Sequence, residues 1–266
     1  MDKVKINMIG GGFQHEICSS AGNVPRYVEW DKGSHSADIS IHIDNAIRQP
    51  TNKIKRNYAW ICESSAIIPH IIQWVSQNMV YMENNYELIF THDERLLSLS
   101  PKMRFILPNA VPWVSDYGVH KKTKLVSIIA SLKKYCSGHL YRHTIIEKYG
   151  HLVDCYGSGH NRIENKEEGL NDYCFSIAME NDNYPHIFCE KITDCFATGT
   201  IPIFWGTPTI GDFFNKDGII MLTDDFMVED LSTDLYYSKM DAILNNYERA
   251  INLPTAEDYM YENHIK

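Results

Sequence analysis

Short apolar runs alternate with stretches of helical period along the chain. Val4–Ile9 reads as a strand, with Gly10-Gly11-Gly12 as the tight turn after it. Ala37–Ile43 alternates apolar and polar positions and ends at Asp44, and Tyr58–Cys62 reads as a third strand. Ile67–Met82 carries Ile68, Ile71, Ile72, Val75 and Met79 at helical spacing. A strand at Tyr86–Phe90, a short helix at Asp93–Leu99 and a strand at Arg104–Leu107 follow. Pro108-Asn109-Ala110-Val111-Pro112 and the polar stretch Asp116–Lys124 then break the pattern, as a linker would. It restarts with a strand at Leu125–Ala130, a helix at His139–Tyr149 and strands at Leu152–Tyr156 and Tyr173–Met179. A helix at Glu190–Thr198 closes on Gly199, Ile201–Trp205 and Gly218–Leu222 read as strands, and Thr233–Ile251 as a long amphipathic helix. Strands alternating with helices predict β-α-β units around mainly parallel sheets. We read two α/β domains, residues 1–118 and 119–266, with a ligand cleft expected between them.

Composition changes this picture little, but charge and cysteine narrow the function. The 266 residues are 44% apolar and 22% charged, which excludes a disordered or fibrous chain. There are 25 basic against 34 acidic residues, a net charge of −9, so no basic face for nucleic acid or an anionic membrane is expected. The seven cysteines (Cys18, Cys62, Cys136, Cys155, Cys174, Cys189 and Cys195) are odd in number, irregularly spaced and contain no C-x-x-C. They read as buried thiols rather than a disulfide framework or a zinc cluster. The N-terminus lacks the pattern of a signal peptide, and no run approaches the ~18 apolar residues of a membrane span. A protein of a reducing compartment, cytoplasmic and without an integral membrane segment, is the expectation.

Candidate chemistry concentrates in Tyr173–Pro208. Gly10–Gly12 fits neither glycine-rich phosphate-loop spacing and reads as a turn. His139 and His143, four apart on a helix, lack a third ligand and read as an exposed face. Between Tyr173 and Pro208, a buried strand delivers Glu180 and Asn181 to its end, and Glu190 and Lys191 then open a helix. Backbone N–H groups and the helix dipole favour an anion there, and a lysine adds a full charge. A glutamate beside it can accept hydrogen bonds from ribose hydroxyls. The spacing suits a nucleotide phosphate site. It also suits a plain charge pair on an exposed helix start.

Glu180-Asn181, the step Cys189-Glu190-Lys191 and Gly199-Thr-Ile-Pro-Ile-Phe-Trp-Gly206 together resemble the signature of the α-1,3-fucosyltransferases of glycosyltransferase family 10. Upstream, Arg142 before Val153-Asp154-Cys155-Tyr156-Gly157 matches the family's arginine ahead of its second strand. Trp60-Ile61-Cys62-Glu63-Ser64 is similar to its W-x-x-E-S-P segment, and Phe90–Asp93 and Pro108–Trp113 to the following strand and linker. The likeness is specific from Lys124 to about Phe214 and short before it. Ser65 replaces the family proline, Cys189 the threonine before E-K, and Ile187 the aromatic ahead of the glutamate. No stem segment of the animal kind precedes the match, so the chain resembles a compact microbial or viral form.

The resemblance implies a GT-B-like fold, two Rossmann-like domains facing across a cleft, with the acceptor on the N-terminal side and the nucleotide sugar on the C-terminal side. It implies inverting transfer of L-fucose from GDP-fucose to a hydroxyl of an acceptor glycan. Glu63 takes the role of catalytic base, Arg142 and Lys191 of diphosphate cations, Glu190 of a ribose contact and Asn181 of a donor contact. No D-x-D occurs, so no metal is expected to be required, though a divalent cation could stimulate release. A non-catalytic nucleotide-sugar-binding protein, and the same fold with another donor sugar, are the alternatives. Acceptor identity and oligomeric state are not encoded in these motifs.

Overall fold

The structure is a computed structural model that describes residues 2–10, 13, 17–32, 36–50, 55–107 and 110–266. Gly11, Gly12, Pro108 and Asn109 of the expected turn and linker lie outside the described residues. The chain divides into two compact units: residues 1–109, 185–187 and 254–266, and residues 110–184 and 188–253.

The first unit is built on a six-stranded sheet: β1 (Val4–Gly10), β2 (Val28–Asp31), β3 (Ile39–Ile43), β4 (Arg56–Ile61), β5 (Leu88–Thr91) and β6 (Met103–Phe105). Its order is β2-β1-β3-β4-β5-β6 and every pairing is parallel. Strand alternation separates two cores. Tyr58 and Trp60 of β4 join Ile6, Met8, Ile41 and Ile43 on one face, while Ala59 and Ile61 point the other way onto Ile71, Val75 and Met82. The latter come from helices α1 (Pro69–Gln77) and α2 (Met79–Asn85); α3 (Glu94–Leu97) follows β5. The expected helix Ile67–Met82 is thus two helices. At the junction the Asn78 side chain donates to the Trp74 carbonyl at 2.8 Å, the local competition that makes asparagine a poor interior helix residue.

The last residues also belong to this unit, which corrects the assignment of 254–266 to the C-terminal half. Helix α8 (Ala256–Met260; α4 to α7 belong to the second unit) buries Ala256 and Met260 against the first core, with Ile265 beyond it. Its first-turn acids tie it down. The Ser19 N–H donates to Glu257 Oε1 at 2.7 Å, and the Arg26 and Tyr27 N–H groups donate to the Asp258 carboxylate at 2.8 and 3.0 Å.

The second unit holds a five-stranded parallel sheet of β7 (Lys124–Ile129), β8 (Asp154–Tyr156), β9 (Tyr173–Met179), β10 (Ile201–Trp205) and β11 (Ile220–Met221), in the order β11-β10-β9-β7-β8. Every residue of β9 is buried, as a central parallel strand covered on both faces requires. Helices α4 (Ser137–Tyr149), α5 (Glu190–Ala197), α6 (Thr233–Ser238) and α7 (Met240–Ile251) complete it. The long helix expected at 233–251 is interrupted at Lys239.

Candidate functional site

The strand order fixes where a ligand can enter the second unit. From β7 the chain crosses to β8 on one side, then returns through β9 on the other. At such a reversal the connections leave the strand ends in opposite directions and open a crevice at their C-terminal edge. A cavity of about 280 Å³ lies there, near the low end of small-molecule sites. Ile129 at the end of β7 with Ala130 and Ser131 after it, Gly157 and Ser158 after β8, Ile177 to Met179 of β9 and the first turn of α5 line it. Gly157 has φ +104°, and a Cβ there would stand 2.2 Å from the Ala130 carbonyl oxygen, so only glycine lets the β8 turn close on β7. Gly138, where a Cβ would meet the Glu180 carbonyl oxygen at 2.3 Å, lets the start of α4 pack on the end of β9.

Charge in this cavity is arranged as two paired cations and one unpaired. Lys191 Nζ lies 2.9 Å from Glu180 Oε2, and that carboxylate, 3% exposed, also accepts the Cys189 N–H at 3.0 Å. Lys166 Nζ lies 3.3 Å from Glu190 Oε1 and 2.6 Å from Asp194 Oδ2. Asp194 additionally receives the Trp113 N–H at 2.6 Å and the Val114 N–H at 3.1 Å. Arg142 is 6% exposed and lines the same cavity. Its Nη2 donates to Ser131, to the carbonyl at 3.1 Å and to Oγ at 3.3 Å. Among the described residues its guanidinium has no carboxylate partner, and its buried Nε makes no hydrogen bond.

The titration of these groups follows from the pairing. Burial alone would raise the Glu190 carboxyl, but Lys191 and Lys166 outweigh it and hold it down at about 2. Burial pulls the Lys191 ammonium down, yet the adjoining Cys189, Glu180 and Glu190 carry it well above the ordinary lysine value. Asp194 is raised, by burial first, although Lys166 opposes the shift. Burial lowers Arg142, which as a guanidinium stays charged. His139, expected on an exposed face, is buried beside this cluster. The Tyr135 N–H donates to its Nδ1 at 3.2 Å, and burial, then Arg142, Lys133 and Lys191, lower its pKa and keep it neutral.

Arg142, Glu190 and Lys191 therefore converge on one cavity, while Asn181 stands beside His139 outside its lining. Glu63 belongs to the other unit: it follows β4 with its side chain exposed, and its N–H donates to Asp44 Oδ1 at 3.3 Å. Burial raises Asp44 to about 6, against the opposing N–H bonds of Cys62 and Glu63. Lys166 and Asp194 were not among the sequence candidates. Asn165 to Glu168 forms a capping box, a legible sign that Lys166 sits at the start of a turn, but not of where that turn points. Groups of three or more metal-ligating side chains are absent among the described residues, as is any helix long and apolar enough to cross a membrane.

Two parallel-sheet Rossmann-like units, one with a charged cavity at its switch point, define a glycosyltransferase fold of the GT-B class. Solved structures agree. An α1,3-fucosyltransferase superposes with a TM-score of 0.53 at 16% identity, covering 95% of this chain and 82% of that one. An α1,3-fucosyltransferase with GDP-fucose gives 0.51 at 14% identity with the same coverage. Residues 119–249 match the family described as glycosyltransferase family 10 (fucosyltransferase), C-terminal. An α-(1,3)-fucosyltransferase of Helicobacter pylori, FucT, is 32% identical over 109 residues, which are 40% of this chain. The chain spans 22% of that protein's length.

Proposed function

We propose that the chain is an inverting glycosyltransferase that moves L-fucose from GDP-fucose to a hydroxyl of an acceptor glycan. The observation that carries this reading is Arg142: a buried, permanently charged guanidinium on a ligand-sized cavity, with an unused Nε and no carboxylate partner among the described residues. A buried charge left unpaired is costly, and an anionic ligand is the natural compensation. Lys191 in the first turn of α5 adds a second cation where the helix dipole also favours negative charge.

In the reaction, Glu63 takes the proton of the acceptor hydroxyl as its oxygen attacks the anomeric carbon from the face opposite the leaving group. The bond from that carbon to the diphosphate breaks and its electron pair leaves on GDP. Arg142 and Lys191 stabilise the growing diphosphate charge, the task a metal performs elsewhere. Lys191 must share or exchange its Glu180 contact to do so. Glu190, kept ionised by Lys166 and Lys191, accepts hydrogen bonds from ribose hydroxyls. Asn181 is the remaining donor contact on the strength of the family motif.

A panel of GDP-fucose, GDP-mannose and UDP-N-acetylglucosamine, tested for binding by calorimetry and for discharge of the free nucleotide, checks the reading. GDP-fucose should be bound and consumed. Tight GDP binding with no donor discharged would make the chain a binding protein instead. Consumption of another donor would move the sugar specificity.

A further inference from the structure

The first sheet has its own strand-order reversal, at β1, which has β2 on one side and β3 on the other. Asp44 stands there, immediately after β3, at φ +49°. Backbone in that region disfavours any residue with a Cβ, although aspartate and asparagine tolerate it best, and such conformations gather at functional sites. The turn it opens is clasped from β1: a Cβ on Gly10 would meet Ala46 Cβ at 2.5 Å and the Ile43 carbonyl oxygen at 2.9 Å.

Asp44 is buried, 8% exposed, and its side chain is aimed across at the residues after β4. The β3–β4 ladder runs to Ile43 opposite Trp60, so Asp44 lies one step past it. Its Oδ1 accepts the N–H of Cys62 at 2.8 Å and that of Glu63 at 3.3 Å. One buried oxygen thus continues the sheet's hydrogen bonding for two further residues and holds the backbone from which the Glu63 side chain springs.

We propose that Asp44 is a positioning residue for catalysis: its Oδ1 fixes the backbone of Glu63 and so the direction in which that carboxylate meets the acceptor hydroxyl. The inference rests on the reading of Glu63 as the base. Asp44 is too enclosed to be that base, whereas Glu63 is exposed at the same strand end. The acceptor oxygen and its place on the turn are what matter, so asparagine, which keeps an oxygen and tolerates positive φ, should substitute where alanine cannot.

The test is a double-mutant cycle in the full chain with GDP-fucose and an acceptor sugar. D44A should lower kcat about tenfold through misplacement of the base, with the donor KM and the calorimetric GDP affinity within about twofold. D44N should stay within about threefold of the unsubstituted chain, since it restores the acceptor. D44A/E63Q should be no slower than E63Q, because Asp44 acts only through Glu63. D44S, with a single short acceptor, carries the same expectations as D44A if that chain fails to fold. An unchanged kcat in D44A, a D44N as slow as D44A, or a further tenfold loss in the double variant overturns the inference while leaving the base assignment standing. An E63Q chain with full kcat removes the base assignment itself and the inference with it.

Discussion

Replacing Lys191 by alanine separates a ligand contact from a structural one. In the free protein Lys191 Nζ sits 2.9 Å from Glu180 Oε2 and 2.8 Å from Cys189 Sγ, with its side chain 28% exposed. With diphosphate bound, the same ammonium supplies one charge-assisted hydrogen bond, worth about 1.5–3 kcal/mol. Its loss should raise the dissociation constant for GDP by about 10- to 150-fold. The fold pays separately: Glu180 is 3% exposed and loses its cation, although it keeps the Cys189 N–H at 3.0 Å. Stripping one partner from a fully buried pair costs about 3–5 kcal/mol. The partial exposure of Lys191 and the surviving N–H bond place this case lower, at about 1–3 kcal/mol. Calorimetry with GDP, at a temperature where K191A is folded and at fixed salt, reads the first effect, and thermal unfolding reads the second. The double variant E180Q/K191A removes the stranded carboxylate and should recover stability but not affinity. A GDP affinity within about twofold of the unsubstituted chain, beside a lowered Tm, would reduce Lys191 to a structural partner of Glu180.

Glu63→Gln should slow transfer by at least about a hundredfold while GDP affinity changes by less than about threefold, since the candidate donor cations lie in the other unit; comparable rates for the two chains would end its role as base. Excess EDTA should leave most turnover intact if, as proposed, Arg142, Lys191 and a helix N-terminus take the leaving group's charge; complete loss, restored by Mn²⁺, would refute that division of labour. Glu190 titrates at about 2 against an ordinary 4.5, so the stability it contributes is full above 4.5 and is lost as pH falls from there toward 2. Acid unfolding of Glu190→Gln should lack that part of the slope, and parallel curves for the two chains would contradict the pairing of Glu190 with Lys191 and Lys166.

Much of the second sheet was legible because β7, β9 and β10 are strongly apolar runs, with Gly206 closing β10. β9, β10 and the start of α5 fall within a residue or so of the positions their pattern predicts. β2 was not, being a four-residue edge strand in which only Val28 and Trp30 are buried. The C-terminal helix illustrates a different limit. Thr255 caps it, its Oγ1 accepting the Asp258 N–H at 3.2 Å, but which sheet the helix covers is decided by Ser19, Arg26 and Tyr27, more than two hundred residues away. Lys122 lies in a charge cluster that reads as linker, yet it is buried, donating to the Thr198 and Asn171 carbonyls at 2.8 and 3.0 Å and to Thr200 Oγ1 at 3.0 Å. In the site, Arg142, Glu190 and Lys191 could be found because each stands at a motif. Lys166 and Asp194 could not, because their role comes from a contact between a turn and a helix that no local pattern specifies. The pairing of Lys191 with Glu180 was hidden for the same reason, although both residues belong to one motif.

On the proposed function, the cavity at the C-terminal edge of the second sheet receives a nucleoside diphosphate. A crystal structure of the full chain grown with GDP tests it most directly. The diphosphate should lie within hydrogen-bond distance of the Arg142 guanidinium and of Lys191 Nζ, over the first turn of α5, with the previously unused Nε of Arg142 engaged or shielded by the ligand. GDP bound elsewhere, or Arg142 and Lys191 keeping only their present partners beside a bound nucleotide, would contradict it.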